Sequence, residues 1–93
     1  MENIMNVDIT GRGFTPSENL KIFINEKSSS LLKYDPNISN VKVVLIKEGR
    51  AEKVEIIISG KKNNYIAKCY SSVFEKTIMH AISKIKSQIE KVH

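Results

Sequence analysis

Few residues in this chain have side chains and spacings suited to catalysis or metal binding. The two histidines, His80 and His93, and the single cysteine, Cys69, match no ligand spacing such as C-x-x-C or H-E-x-x-H, so no metal site is predicted. Cys69 alternates with Ala67 in an apolar stretch, which favours a small buried side chain over a nucleophile. No pair of carboxylates has an evident catalytic purpose either. We therefore expect no enzyme activity, no cofactor and no small-molecule substrate.

The composition favours the binding of anions. The chain has 15 lysines and arginines against 10 aspartates and glutamates, a formal net charge of +5. Such an excess favours nucleic acid or an anionic membrane surface as the partner. No apolar run approaches the roughly 20 residues that span a bilayer, and the start MENIMNVDIT lacks the apolar stretch of a signal peptide. We expect one cytoplasmic domain over residues 1–93.

Apolar periodicity and turn residues predict the elements that must position these charges. Thr15 is the predicted N-cap of the first helix, with Ser17 as a competing cap two residues later, and the helix ends before Pro36. The pair Gly49-Arg50 predicts a tight hairpin turn. The predicted elements are a strand at 5–11, a helix from 15 to 34, strands at 39–48, 51–60 and 65–71, and a helix at 74–93.

This order of elements, β-α-β-β-β-α, predicts an α+β fold. Strands joined by short connections form an antiparallel meander, and two amphipathic helices can cover one face of it. The expected architecture is a two-layer sandwich with two helices on one face of a four-stranded sheet, like a double-stranded RNA-binding domain.

The charges on the last helix are sorted by face. Its isoleucines form the stripe that should pack on the sheet, and Glu75 and Glu90 lie outside the opposite ridge. A merely solvated helix more often mixes signs, so polyanion binding is favoured over a solvated face. A membrane-surface helix is the weakest alternative, because the apolar stripe is needed for the core and the chain has no tryptophan. The ridge consists of Lys76, His80, Lys84 and Lys91, with Gln88 on its shoulder.

The first helix adds further basic residues, namely Lys21, Lys27 and Lys33, and the loop before it adds Arg12. If both helices lie on one face of the sheet, these side chains form one broad basic surface. Phosphate contacts of this kind recognise charge and shape. Because most aromatic residues stand where a core would use them, duplex-like RNA is the expected target, in preference to stacked single strands.

The segment VDITGRGFTPSENLKIFINEK resembles the opening of the ribosome hibernation-promoting factor and ribosome-associated inhibitor family, also called sigma-54 modulation proteins. That family has an I-T-G strand end and an L-[RK]-x-[FY]-[VI] helix core, which here are residues 9–11 and 20–24. NVKVVLIKE resembles the second strand of the family. SKIKSQIEKVH resembles its last helix, D-K-L-x-R-Q-[LI]-x-K, at Lys84, Gln88 and Lys91. The resemblance covers nearly all 93 residues in the same element order.

The chain departs from the family pattern where the last helix begins. The family reads D-[ML]-Y-x-A-I-D there, and this chain has Val73, Glu75, Thr77 and Met79 in place of the first acid, the tyrosine, the alanine and the second acid. Lys86 stands beside the position of the family's arginine. The chain is identified as a divergent member of the short form, which lacks the long tail and second domain.

The resemblance implies binding to the small ribosomal subunit in the channel for mRNA and tRNA, which blocks translation during stress without a cofactor. The rRNA-binding residues expected on this basis are Arg12, Lys21, Lys27, Lys33, Lys76, His80, Lys84, Lys86, Gln88 and Lys91. The alternative is a protein-interaction module or weak homodimer. It would use the outer sheet face, where Val44, Ile46 and Ile57 alternate away from the helices.

Overall fold

A computed structural model of the protein describes residues 5–92. The start of the chain at residues 1–4 and the second histidine, His93, lie outside the described residues. The elements are β1 (Asn6–Arg12), α1 (Glu18–Ser29), a 3-10 helix (Ser30–Lys33), β2 (Ile38–Glu48), β3 (Ala51–Gly60), β4 (Asn64–Ser71) and α2 (Phe74–Val92).

The four strands form one mixed sheet in the order β1-β2-β3-β4. β1 is parallel to β2, because α1 carries the chain back across the sheet, and the other two pairs are antiparallel. A two-residue turn joins β2 to β3, and its first residue, Gly49, has a φ of 57°, as in the type II′ turn. The α+β sandwich predicted from the sequence is confirmed.

The core lies between the sheet and the two helices. α2 packs on β3 and β4, and α1 contacts both β1 and α2. Alternate residues of β2 and β3, such as Val43 and Ile56, point into this core and are 0% exposed. Burying each such side chain stabilises the fold by about 1.5–3 kcal/mol. The core isoleucines of α2 therefore pack on the sheet. None of the described helices is long and apolar enough to cross a membrane.

The first helix begins at the second of the two predicted caps and ends earlier than predicted. The Ser17 hydroxyl accepts a hydrogen bond from the backbone N–H of Leu20 at 3.1 Å. The α-helix ends at Ser29, and the Ser30 hydroxyl donates to the Lys27 carbonyl at 2.6 Å. Serine side chains that bond to nearby backbone compete with helical hydrogen bonds. The expectation of one α-helix to Tyr34 is therefore wrong, and a 3-10 helix completes the segment.

The start of α2 is capped from a neighbouring strand. Val73 occupies the N-cap position, since its carbonyl accepts from the Thr77 N–H at 3.0 Å, but its side chain has no acceptor. The Glu52 carboxylate of β3 accepts from the Phe74 N–H at 2.7 Å. The Thr77 hydroxyl is fully buried and bonds to the Glu52 carbonyl and to Ser71. Glu52 on β3 thus caps α2 in place of the acid that the family pattern has at the position of Val73.

A buried hydrogen bond ties the segment after α1 to β4. The Tyr65 hydroxyl donates to Asp35 Oδ2 at 2.7 Å, and both residues are 2% exposed. Asp35 Oδ1 also accepts from the Asn37 N–H at 3.0 Å. Burial, with a smaller contribution from Asp35, raises the pKa of Tyr65 to about 12. This pair fixes the chain where it enters β2.

The outer face of the sheet exposes less aliphatic surface at its centre than expected. Val44 is only 3% exposed, because it lies in a central strand between Thr10 and Glu55 of the flanking strands. Ile46 and Ile57 are half-buried. The expectation of an exposed patch is therefore wrong for Val44, which weakens the argument for a homodimer through these three residues.

Candidate nucleic-acid interface

The outer ridge of α2 carries four exposed basic side chains, Lys76, His80, Lys84 and Lys91. The buried stripe beneath it is centred on Ile78 and Ile85, which are 1% and 0% exposed, whereas Ile82 keeps 8%. On one side of this stripe Lys84 and Gln88 reach β4, and on the other side Lys86 contacts Tyr34 at the end of the 3-10 helix.

Gln88 is bonded to the free edge of the sheet. Its Nε2 donates to the Ile66 carbonyl at 2.7 Å, and its Oε1 accepts from the Ile66 N–H at 3.3 Å. One turn earlier on the helix, Lys84 Nζ approaches the Lys68 carbonyl at 3.5 Å, which is a weak contact. β4 is an edge strand, so Gln88 satisfies peptide groups that no neighbouring strand can reach. The Gln88 amide thus has a structural role besides the predicted contact with rRNA.

Lys86 is held against an aromatic ring. Its ammonium lies 4.7 Å from the centroid of the Tyr34 ring, a cation–π distance. Hydrogen bonding first, and then Coulomb attraction to Tyr34, raise the pKa of Lys86. The contact links α2 to the end of the 3-10 helix.

The lysines of the first helical segment are spread around it. Lys21 and Lys27 lie on opposite shoulders of α1 and are half-buried, and the Lys27 ammonium is 5.4 Å from the centroid of the Phe23 ring. Lys33 is exposed in the 3-10 helix.

The most outward side of α1 is not basic. It carries two exposed acids, Glu18 and Glu26, together with Ile22, which is 50% exposed. The basic surface is therefore concentrated on α2, with the α1 lysines at its margin.

Arg12 lies apart from the other predicted residues. β1 continues through Gly11 because both residues pair with β2, Gly11 with Leu45 and Arg12 with Ile46. Strand alternation then places Arg12 on the outer face of the sheet, whereas the other predicted residues lie on the helices. The expected position of Arg12 in the loop before the helix is wrong for this reason.

The sequence pattern did not identify Lys68 and Tyr70 of β4 as functional candidates. Tyr70 is 75% exposed and lines a groove with Lys68, His80, Ser83 and Lys84. Four of the six aromatic residues lie in or against the core, as expected for most of them, whereas Tyr70 and Tyr34, which is 40% exposed, do not. The exposure of Lys68 and Tyr70 could have been predicted, because the last strand of a meander lies at the edge of the sheet and alternation places both residues on its outer face.

The groove between β4 and α2 is basic. Its volume is about 400 Å³, and no acid is among the residues that line it. A hollow at the opposite end of the sheet, of about 610 Å³, is lined by both Lys42 and Asp8 and so lacks this excess of positive charge. Within residues 5–92, no three histidine, cysteine or acidic side chains lie close enough to share a metal ion. The electrostatics of the β4–α2 groove thus suit an anion.

Comparisons with known proteins agree with this architecture. Residues 7–93 match the profile of the family described as Sigma 54 modulation protein / S30EA ribosomal protein. A ribosomal subunit interface protein from Coxiella burnetii superposes with a TM-score of 0.88 at 20% identity, over 95% of this chain and 97% of that chain. The N-terminal domain of Thermus thermophilus Protein Y gives 0.87 at 19% identity, over 96% and 100%. At these identities the two structures establish the fold, and no curated protein sequence matches.

Proposed function

The chain belongs to the Sigma 54 modulation protein / S30EA ribosomal protein family, and on this premise we propose that it binds the small ribosomal subunit and silences translation. The similar fold from Coxiella burnetii carries the name of a ribosomal subunit interface protein, which supports the same partner. The protein acts as a hibernation factor in the cytoplasm, where ribosomes are. It acts by occupancy and not by catalysis.

The observation that carries the proposal is the basic ridge of α2. Lys76, His80, Lys84 and Lys91 are exposed along one side of the helix, while its apolar side is buried in the core. Such a row can follow the phosphates of folded RNA, and phosphate contacts position a protein without reading base sequence. At its margin α1 adds Lys21 and Lys27, and the 3-10 helix adds Lys33.

The mechanism is steric. The domain, residues 1–93, sits in the channel that mRNA and tRNA use, with the α2 ridge on rRNA phosphates and the α1 lysines on further phosphates nearby. Arg12, on the outer sheet face, contacts RNA on the other side of the same channel. While the domain is bound, mRNA and tRNA cannot enter, and the ribosome stays inactive.

The departures from the family pattern change the surface and leave the fold intact. Glu52 and the buried Thr77 hydroxyl complete the start of α2 where the pattern has other residues. By contrast, Val73 and Met79 are 47% and 44% exposed, and Glu75 is exposed. These three positions lie beside the basic ridge. They alter the strength or the exact site of binding and not the ability to fold.

The proposal is tested by co-sedimentation of the purified chain with small ribosomal subunits. The double variant K84A/K91A should bind at least about tenfold more weakly than wild type. The slope of log K against log salt should also be shallower by roughly 0.7–0.9 for each phosphate contact that is lost. A matched control is K61A/K62A, which removes the same charge from the exposed turn between β3 and β4. Unchanged binding by K84A/K91A, or an equal loss in the control, would contradict the proposal.

A further inference from the structure

The free edge of β4 presents peptide groups at every second residue. The register with β3 is continuous from Glu52↔Ser71 to Ser59↔Asn64, so Ile66, Lys68 and Tyr70 all turn their N–H and C=O groups away from β3. Gln88 covers both groups of Ile66, and Lys84 approaches the carbonyl of Lys68. For Tyr70, no side chain or loop backbone within the described part of the chain covers this pair of groups.

The open pair lies at the mouth of the β4–α2 groove. Tyr70, which is 75% exposed with its side chain on the outer sheet face, is one of the residues that line this groove. It also lines a second hollow of about 560 Å³ that includes Lys53 and Glu55 on that outer face. The groove itself, about 400 Å³, falls in the range of roughly 300–1,000 Å³ that is typical of sites for small ligands.

The chemistry of the groove matches a planar group that has an anion attached. Lys68 and Lys84 supply positive charge, and His80 and Ser83 supply further polar groups. Gln88 provides an internal example of the same recognition, because its planar amide pairs a donor and an acceptor with the C=O and N–H of one residue, Ile66, on this edge. The edge of a nucleobase has adjacent donors and acceptors of the same kind. Stacking of a base on an exposed aromatic ring adds about 1–3 kcal/mol.

We propose that the β4–α2 groove binds an unpaired nucleotide of RNA. The base stacks on the Tyr70 ring and bonds to the open peptide groups of that residue, and the phosphate lies between His80 and Lys84. This inference deepens the proposed function and rests on it for the source of the nucleotide. That source is an unpaired residue of rRNA next to the phosphates that the α2 ridge binds. A polypeptide strand added to the same edge is the competing occupant. It fits less well, because Gln88 already occupies both groups of Ile66 on this edge.

The test measures binding of the full chain to single-stranded hexauridylate RNA, without ribosomes. Tyr70→Leu should weaken binding by about 5- to 150-fold, which is the stacking contribution of one base, whereas Tyr70→Phe retains the ring and should bind within about twofold of wild type. Lys62→Ala, which removes a cation from the β3–β4 turn, is the charge control. Amide NMR shifts on titration should concentrate at Tyr70, His80 and Lys84.

Equal affinity of Tyr70→Leu and wild type for the hexamer, or NMR shifts spread evenly over the lysines, would overturn the proposal. A complex isolated from ribosomes that requires Tyr70 and resists ribonuclease would also overturn the proposal, because the occupant of the groove would then be a polypeptide. The result is separable from the proposed function. Loss of hexamer binding in Tyr70→Leu supports the groove even if the chain fails to bind the small subunit. Subunit binding without any role of Tyr70 in either assay overturns the groove alone.

Discussion

The buried pair of Tyr65 and Asp35 predicts a specific dependence of stability on alkaline pH. Burial first, and then Asp35, raises the pKa of Tyr65 from 10.0 to about 12 in the folded protein. Between pH 10 and 12 the folded chain therefore binds more protons at this site than the unfolded chain. The contribution of the raised pKa to the free energy of unfolding is fully present below pH 10 and is lost as the pH rises through 12.

The magnitude follows from the size of the shift. A shift of about two pKa units corresponds to at most roughly 3 kcal/mol, and screening by solvent at the end of the sheet reduces this to about 1–2 kcal/mol. Tyr65→Phe removes the titrating group and one hydrogen bond to Asp35, which should cost about 1–3 kcal/mol at neutral pH. The stability advantage of wild type over Tyr65→Phe should therefore shrink as the pH rises from 10 to 12.

The assay is chemical denaturation of both proteins at several pH values from 7 to 12, followed by far-UV circular dichroism. Lysine deprotonation affects both proteins alike, so the difference between them isolates Tyr65. A difference in unfolding free energy that stays constant from pH 9 to 12 would show that the hydroxyl is not held by Asp35 in a buried site, and the reasoning would be refuted.

Two further predictions concern the contacts that hold α2. Gln88→Ala should lower stability by about 1 kcal/mol and speed hydrogen exchange of the Ile66 amide; an unchanged exchange rate would mean that Gln88 does not cover the edge. Glu52→Ala should cost about 0.5–2 kcal/mol by removing the acceptor for the Phe74 N–H, and Val73→Asp should restore most of this loss by supplying a local cap. If Val73→Asp stabilises wild type and the Glu52→Ala variant equally, the two caps are independent and the account of this helix start is wrong.

The fold could be predicted because local signals agree along most of the chain. The predicted bounds of β3 match the observed ones, 51–60, since the segment is rich in valine and isoleucine and lies between two clear turns. The helical period likewise identified the buried and exposed sides of α2. The end of α1 was missed, because three consecutive serines leave the choice between an α-helix and a 3-10 helix to contacts made elsewhere.

The candidate site was only partly predictable because its contacts are non-local. The exposure of Lys76, His80 and Lys91 follows from helical periodicity alone. The partner of Gln88 is 22 residues away, and the burial of Val44 depends on strands to both sides of it. Tyr70 was missed because the alternation of an edge strand, and not the type of residue, decides that its ring is exposed.

The central claim, that this protein occupies the small ribosomal subunit, is tested most directly by sucrose-gradient sedimentation of a stationary-phase extract at low salt. The account predicts that the chain migrates with the small-subunit or whole-ribosome fractions and returns to the top of the gradient at high salt, since phosphate contacts weaken steeply with ionic strength. If the chain stays at the top of the gradient at low salt, or migrates with a protein complex that persists at high salt and contains no rRNA, the claim is contradicted.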